Sequence, residues 1–181
     1  MKQGRRDALI LGVAGLAAAA AGFLVGPMVL QQVGRGESGA ARRALPSVSL
    51  VDLGGRTRRL SEWQDRILIC NFWATWCAPC REEIPLLVAA RAKYAFAGIE
   101  VVGIAVDNAA KVRDFATSFN ISYPILLAEA DGLDLMRQLG NSTGGLPYTV
   151  VTDRAGDVIH RKLGAFKGSD LDAVIGPLAR G

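Results

Sequence analysis

The segment NFWATWCAPCREEIP, residues 71–85, sets two thiols three positions apart, at Cys77 and Cys80. A C-x-x-C serves two chemistries: a dithiol that cycles with its disulfide, and half of a zinc site. The apolar run before the pair reads as a strand and the residues after it as a helix. Cys77 then falls at the helix start, where N–H groups lack partners and the macrodipole is positive, so a thiolate is favoured. That makes Cys77 the attacking nucleophile. Cys80, one turn further on and on the same face, is the resolving thiol, which attacks the mixed disulfide and releases reduced product. A zinc site would need Cys70 and His160, the one histidine, as further ligands. Cys70 falls in mid-strand, where the alternation of side chains points it away from the helix start, so no metal site is expected. Cys70 reads instead as a small buried hydrophobe, and three clustered cysteines do not make a disulfide scaffold.

The elements that must position this pair can be read outward from it. Ile67 to Trp73 is an apolar run bounded by charge, as a strand buried on both faces requires. A helix from about Ala78 to Ala97 follows, interrupted by Pro85, which should kink it, and closed by Gly98. Ile99 to Val106 is a second buried strand. Asp107 or Asn108 caps a helix that runs to about Phe119. A short extended piece spans Ile125 to Leu127 and a short helix Gly132 to Leu139. Tyr148–Thr152 and Asp157–Leu163 form a hairpin about Asp153–Gly156, and Ser169 caps a last helix to about Leu178. Upstream, Ser47–Leu53 and Thr57–Leu60 flank Gly54-Gly55 as an N-terminal hairpin. The β-α-β-α-β-α-β-β-α order implies an α/β domain with a central mixed sheet flanked by helices on both faces.

Charge separates this domain from what precedes it. Residues 1–44 hold six Lys/Arg against two acids, which leaves fifteen of each in residues 45–181. The overall excess of +4 is thus N-terminal, and a neutral domain without a basic stripe gives no reason to expect nucleic-acid binding. Ala8 to Leu30 is 23 residues without charge, enough to span a bilayer as a helix. Lys2, Arg5 and Arg6 lie before it, favouring a cytoplasmic N-terminus and an exported domain. Residues 1–30 are therefore expected to be a signal anchor, or an export signal that is removed, since Arg5-Arg6 partly matches a twin-arginine pattern. Residues 31–46, small, polar and rich in Gly, read as a flexible linker, and residues 47–181 as the domain.

WCAPC after a strand, the EEIP that follows it, the later GGLPYTVV and the Asp153-Arg-Ala-Gly-Asp157 turn together resemble the membrane-anchored thioredoxin-like proteins of the TlpA/ResA group. The resemblance covers nearly all of residues 45–181 and implies a thioredoxin fold with a leading hairpin and a central insertion around Ile125 to Leu139. It implies that Cys77 and Cys80 are the redox pair and that Leu146–Pro147 is a cis bond, which packs against the dithiol and offers backbone groups to an extended substrate. It also implies that Glu83 assists proton transfer at the buried thiol. Two positions depart from the pattern. Asn71 stands where ordinary thioredoxins carry a buried Asp, which leaves Glu83 as the proton carrier. Tyr148 replaces the Thr usual after the cis-proline, and its bulk is expected to reshape the substrate groove. Beside the pair, Trp76 is expected on the contact surface and Trp73 in the core.

The function expected is that of an extracytoplasmic disulfide reductase in the bacterial inner membrane facing the periplasm, or free in the periplasm if the N-terminal segment is cut. Its partners would be a membrane electron donor and client proteins with cysteines, of the kind matured in cytochrome c biogenesis or oxidase copper-site assembly. No dissociable cofactor is needed, because the redox-active Cys77–Cys80 disulfide carries the electrons. The alternatives are a thiol oxidant, which would want a basic or imidazole side chain in place of Ala78-Pro79, and a copper-handling chaperone, which would want a further soft ligand. A peroxidase does not fit, since only Trp76 separates Thr75 from Cys77.

Overall fold

The computed structural model describes residue 45 and residues 47–180. The readings of residues 1–30 as anchor or export signal, and of residues 31–44 and 46 as linker, lie outside the described residues. Leu45 does not belong to a tether: it is buried beside Leu60, Trp63 and Leu68, so the packed domain already includes it.

Seven strands among the described residues form one mixed sheet in the order β2-β1-β5-β4-β3-β6-β7. They are β1 (Ser49–Asp52), β2 (Thr57–Arg59), β3 (Ile67–Trp73), β4 (Ile99–Ala105), β5 (Ile125–Leu127), β6 (Tyr148–Thr152) and β7 (Val158–Leu163). The helices that connect them are α1 (Ala78–Tyr94), α2 (Ala109–Ser118) and α3 (Gly132–Gln138), and α4 (Gly168–Leu178) follows β7. β3, β4 and β5 run parallel, and β6 and β1 are antiparallel to their neighbours β3 and β5. The leading hairpin therefore does not stand apart; it extends the sheet beyond β5.

Every residue of β3 and of β4 is buried, because helices cover both faces of a parallel centre. Strand alternation then sorts side chains onto two cores. Ile67, Ile69 and Trp73 face α1, α2 and α4, together with Cys77, Cys80, Ile84 and Leu87. Leu68, Cys70 and Phe72 face α3 and the Leu60–Trp63 turn. The parallel crossovers β3-α1-β4 and β4-α2-β5 proceed in one direction and so put α1 and α2 on one face, while α3, in the connection from β5 to the antiparallel β6, packs on the other. Gly103 in β4 is required by this packing, since a Cβ there would lie 2.9 Å from both Trp73 Nε1 and Tyr123 Cε2.

Helix ends follow the sequence signals with two corrections. α1 stops at Tyr94, and a single 3-10 turn, Ala95–Ala97, carries the chain to Gly98 in the left-handed region at φ 75°. α4 starts at Gly168, one residue before the expected Ser169 cap. Backbone does that work instead, with the Lys167 carbonyl accepting from the N–H groups of Asp170 and Leu171 at 3.0 and 3.1 Å.

Candidate active site

The chain leaves β3 at Trp73, turns through Ala74–Trp76, and enters α1 with Cys77 as its N-cap. Cys77 and Cys80 are joined as a disulfide across a Cα–Cα distance of 5.3 Å. Cys77 Sγ accepts a hydrogen bond from the Cys80 N–H at 3.3 Å. Pro79 supplies no N–H, so the helix start directs its polarity to sulfur through few donors. Cys77 is 6 % exposed and Cys80 1 %. Of the two sulfur-bearing residues, Cys77 is the more accessible.

Glu83 lies one turn after Cys80, on the buried face of α1 that also carries Ile84, Leu87 and Ala90. The Phe166 N–H donates to Glu83 Oε1 at 3.0 Å and Asn71 Nδ2 to Oε2 at 3.2 Å. The same Asn71 Nδ2 donates to Thr149 Oγ1 at 2.9 Å, across the register pair that joins β3 to β6. Burial raises the Glu83 carboxyl above the usual range; the Phe166 and Asn71 donors and the charge of Lys162 oppose it without prevailing. A carboxyl held this way is nearer to neutral working pH than a free one, as a proton carrier should be. Asn71 was visible in the sequence as a departure, but its partner Thr149 and the Phe166 N–H were not. Thr149 left one clue, a polar residue inside an apolar strand.

The peptide bond Leu146–Pro147 is cis. The pairing of Phe72 with Tyr148 carries Pro147 alongside the end of β3, where the chain turns toward Cys77. The Pro147 carbonyl accepts from the Gly164 N–H at 2.8 Å. Asn141, buried and unforeseen, braces the loop from behind: its Nδ2 donates to the Gly145 carbonyl at 2.8 Å and its Oδ1 accepts from Thr143 Oγ1 at 3.0 Å. Tyr148 must be corrected. Its side chain does not reach the groove but is buried on the α3 side of the sheet with Phe72, and its hydroxyl donates to the Leu139 carbonyl at 2.6 Å. Alternation explains the error: the residue directly after Pro147 points away from the dithiol, and Thr149 points toward it.

Trp76 is 69 % exposed beside Cys77, while Trp73 is fully buried. The turn that carries Trp76 is pinned by Asp107, which accepts from both the N–H and the hydroxyl of Thr75; Asn108, not Asp107, caps α2. Burial works to raise the Asp107 carboxyl, yet these bonds and the Asn108 N–H outweigh it and hold it below the usual range. Arg81 lies with its guanidinium 5.9 and 5.7 Å from the ring centroids of Phe115 and Phe119. His160 sits half-buried with its ring 6.1 Å from Phe166. Among the described residues no group of three His, Cys, Asp or Glu is placed to hold a metal ion.

Cys70 is a free thiol on the α3 face, opposite the dithiol, and burial pushes its pKa to about 12. Reduced, folded protein should accordingly alkylate at Cys77 but not at Cys70 with iodoacetamide near neutral pH, and at all three cysteines only in denaturant. Mass spectrometry of the labelled protein checks this, and a label on Cys70 of the folded chain would contradict the burial.

A C-x-x-C disulfide at the N-terminus of a helix, fed by a central strand of a mixed sheet and flanked by a cis-proline loop, defines a thioredoxin-fold thiol–disulfide oxidoreductase. Residues 40–175 match the Redoxin family. Thiol-disulfide oxidoreductase ResA of Geobacillus kaustophilus is 31% identical over 130 residues, covering 70% of this chain and 71% of its own length. The Geobacillus thermodenitrificans ResA is 32% identical over 127 residues, with coverage of 70% and 71%. Among solved structures, a thioredoxin-family thiol:disulfide interchange protein of Chlorobium tepidum is 32% identical with a TM-score of 0.64, covering 74% of this chain and 94% of that one. A secreted thiol-disulfide isomerase of Corynebacterium glutamicum is 26% identical with a TM-score of 0.69, covering 76% and 86%. The chain belongs to the redoxin family and, within the thioredoxin superfamily, to its TlpA/ResA-like members.

Proposed function

We propose that the protein works as a reductant outside the cytoplasm, passing electrons from a membrane thiol-reductase donor to disulfides in client proteins. Clients of the cytochrome c maturation or oxidase copper-site type suit the resemblance to the TlpA/ResA group. Residues 1–30 would hold the domain at the bacterial inner membrane facing the periplasm, or export it there and be removed. Among the described residues no helix is long and apolar enough to cross a membrane, so this part of the reading stands on the sequence of residues 1–30.

In the reducing direction the Cys77 thiolate attacks one sulfur of the client disulfide, and the other client sulfur leaves as a thiolate that takes a proton from solvent. Cys80 then gives its proton to the Glu83 carboxylate and attacks Cys77 Sγ, the second client sulfur leaves as a thiolate that takes a proton from solvent, and Glu83 returns its own proton to solvent. Two electrons have passed from the dithiol to the client, and the Cys77–Cys80 disulfide remains. The membrane donor returns two electrons and two protons. Leu146, whose N–H and C=O make no hydrogen bond among the described residues, would hold the client's extended backbone beside Pro147. No dissociable cofactor enters this cycle.

The observation that carries the direction is the poverty of support for a reduced thiolate. Ala78 and Pro79 bring neither cation nor imidazole, Arg81 lies over aromatic rings, and the Cys80 N–H is the donor that reaches Cys77 Sγ. Strong oxidants owe their potential to a stabilised reduced form, and beyond the helix N-terminus no cation or imidazole between the two cysteines adds to that stabilisation here. Equilibration of the whole chain with glutathione buffers measures the potential. A value below about −220 mV is expected, and one above about −150 mV would make the protein a thiol oxidant instead.

A further inference from the structure

The loop that leads into Leu146–Pro147 is flanked by two leucines to which the reaction gives no part. Leu133, in the first turn of α3, is 42% exposed, and Leu163, the last residue of β7, is 55% exposed. A Cβ on Gly144 would lie 3.0 Å from Leu133 Cδ2, and one on Gly145 would lie 3.0 Å from Leu163 Cδ1. The two side chains therefore rest directly on the backbone of the loop, and small residues at 144 and 145 let them approach. Exposed leucines scattered singly need no explanation, but these do not stand singly. With Trp76 they make three of the six large hydrophobics left exposed among the described residues, and all three belong to the dithiol and the cis-proline loop. Residues 140–152 carry no charged side chain, and Arg161, which touches the loop at Gly140, gives its Nε to the Leu139 carbonyl.

We propose, building on the client reduction set out above, that Leu133 and Leu163 are specificity determinants. The client segment laid across Leu146–Pro147 is extended, carries large aliphatic or aromatic residues next to its cysteine, and has no charge there. The occupant is a protein segment because the apolar flanks continue into the loop's unengaged Leu146 backbone groups, which an extended chain can pair with and a small thiol cannot. Leu133 comes from the segment inserted between β5 and β6, which gives that insertion a role at the mouth of the site.

The test uses short peptides whose single cysteine is held as a mixed disulfide with glutathione. One set flanks the cysteine with Leu and Val, the other with Asp and Ser. Reduced full-length protein transfers two electrons to each, giving free peptide thiol and glutathione, and chromatography follows the single-turnover rate. The apolar set should react about tenfold faster, and the double variant Leu133→Ser, Leu163→Ser should bring that ratio close to one while reduction of oxidised glutathione stays at the wild-type rate. A wild-type ratio near one, or a ratio that survives in the variant, overturns the proposal. If the double variant also loses the glutathione rate, Leu163→Gln alone, at the more exposed position, decides by the same ratio. Failure of the wild type to reduce any of these disulfides is a different result, which removes the reductase reading and the proposal with it.

Discussion

Cys77→Ser is expected to lower client turnover by about 10³-fold or more, whereas Cys80→Ser should hold the client as a stable mixed disulfide on Cys77. The asymmetry follows from access and from what lies against each sulfur. Cys77 is the more exposed of the two and caps α1, and its Sγ takes the Cys80 N–H. A hydroxyl at position 77 keeps the cap but cannot open a disulfide. A hydroxyl at position 80 leaves the attack intact and removes only the group that ends it. Non-reducing electrophoresis after incubation of each variant with a disulfide-bonded client separates the two outcomes. An adduct that forms on the Cys77→Ser chain through Cys80, or full turnover by it, would reverse the assignment of nucleophile and resolving thiol.

The dithiol was legible in the sequence because its parts are local, whereas the cis Leu146–Pro147 bond and the part given to Glu83 came only with the resemblance to the TlpA/ResA group. Strand, C-x-x-C and helix start adjoin in sequence, so Cys77 at the N-cap follows from propensity and polarity alone. The buried strands β3 and β4 announced themselves as unbroken apolar runs, and the leading hairpin by Gly54-Gly55. What escaped was what only tertiary pairing decides. Thr149, the Phe166 N–H and Asn141 reach the site across the β3–β6 pairing, from the loop after β7, and from the segment before the cis-proline. No spacing in the sequence relates residue 71 to 149 or 83 to 166. Tyr148 failed for a local reason that could have been applied: in a strand, the side chain next to one that faces the dithiol faces away. The small, polar neighbours of Leu45 read as a linker, yet its own side chain is buried against Leu60, Trp63 and Leu68.

The second large effect concerns Glu83, where Glu83→Gln should slow the resolving step and yet stabilise the fold. Burial is the main cause that lifts the carboxyl above its usual value, so the folded state holds a proton more tightly there than the unfolded chain does. Such a group contributes stability fully present below the unfolded pKa and lost as pH rises through the folded one. Glutamine cannot ionise and so avoids that loss. Its Oε1 keeps the Phe166 N–H, and the Asn71 amide can turn so that Oδ1 receives the new NH2 and the Thr149 hydroxyl, its own NH2 then taking the place of the now unpartnered Oδ1. The stability of the variant relative to wild type should therefore grow as pH rises above about 4.5, read from urea titrations of the two chains at pH 5 and pH 8. Activity should move the other way. Without a base beside Cys80, release of the mixed disulfide is expected to fall by about 10²-fold near neutral pH and to recover in alkali, where solvent takes the proton. A stability difference that does not change with pH would mean the carboxyl is not lifted by its surroundings. Unchanged release at neutral pH would leave Glu83 as a tie between α1 and the Phe166 loop, and the proton of Cys80 would have to leave by another route.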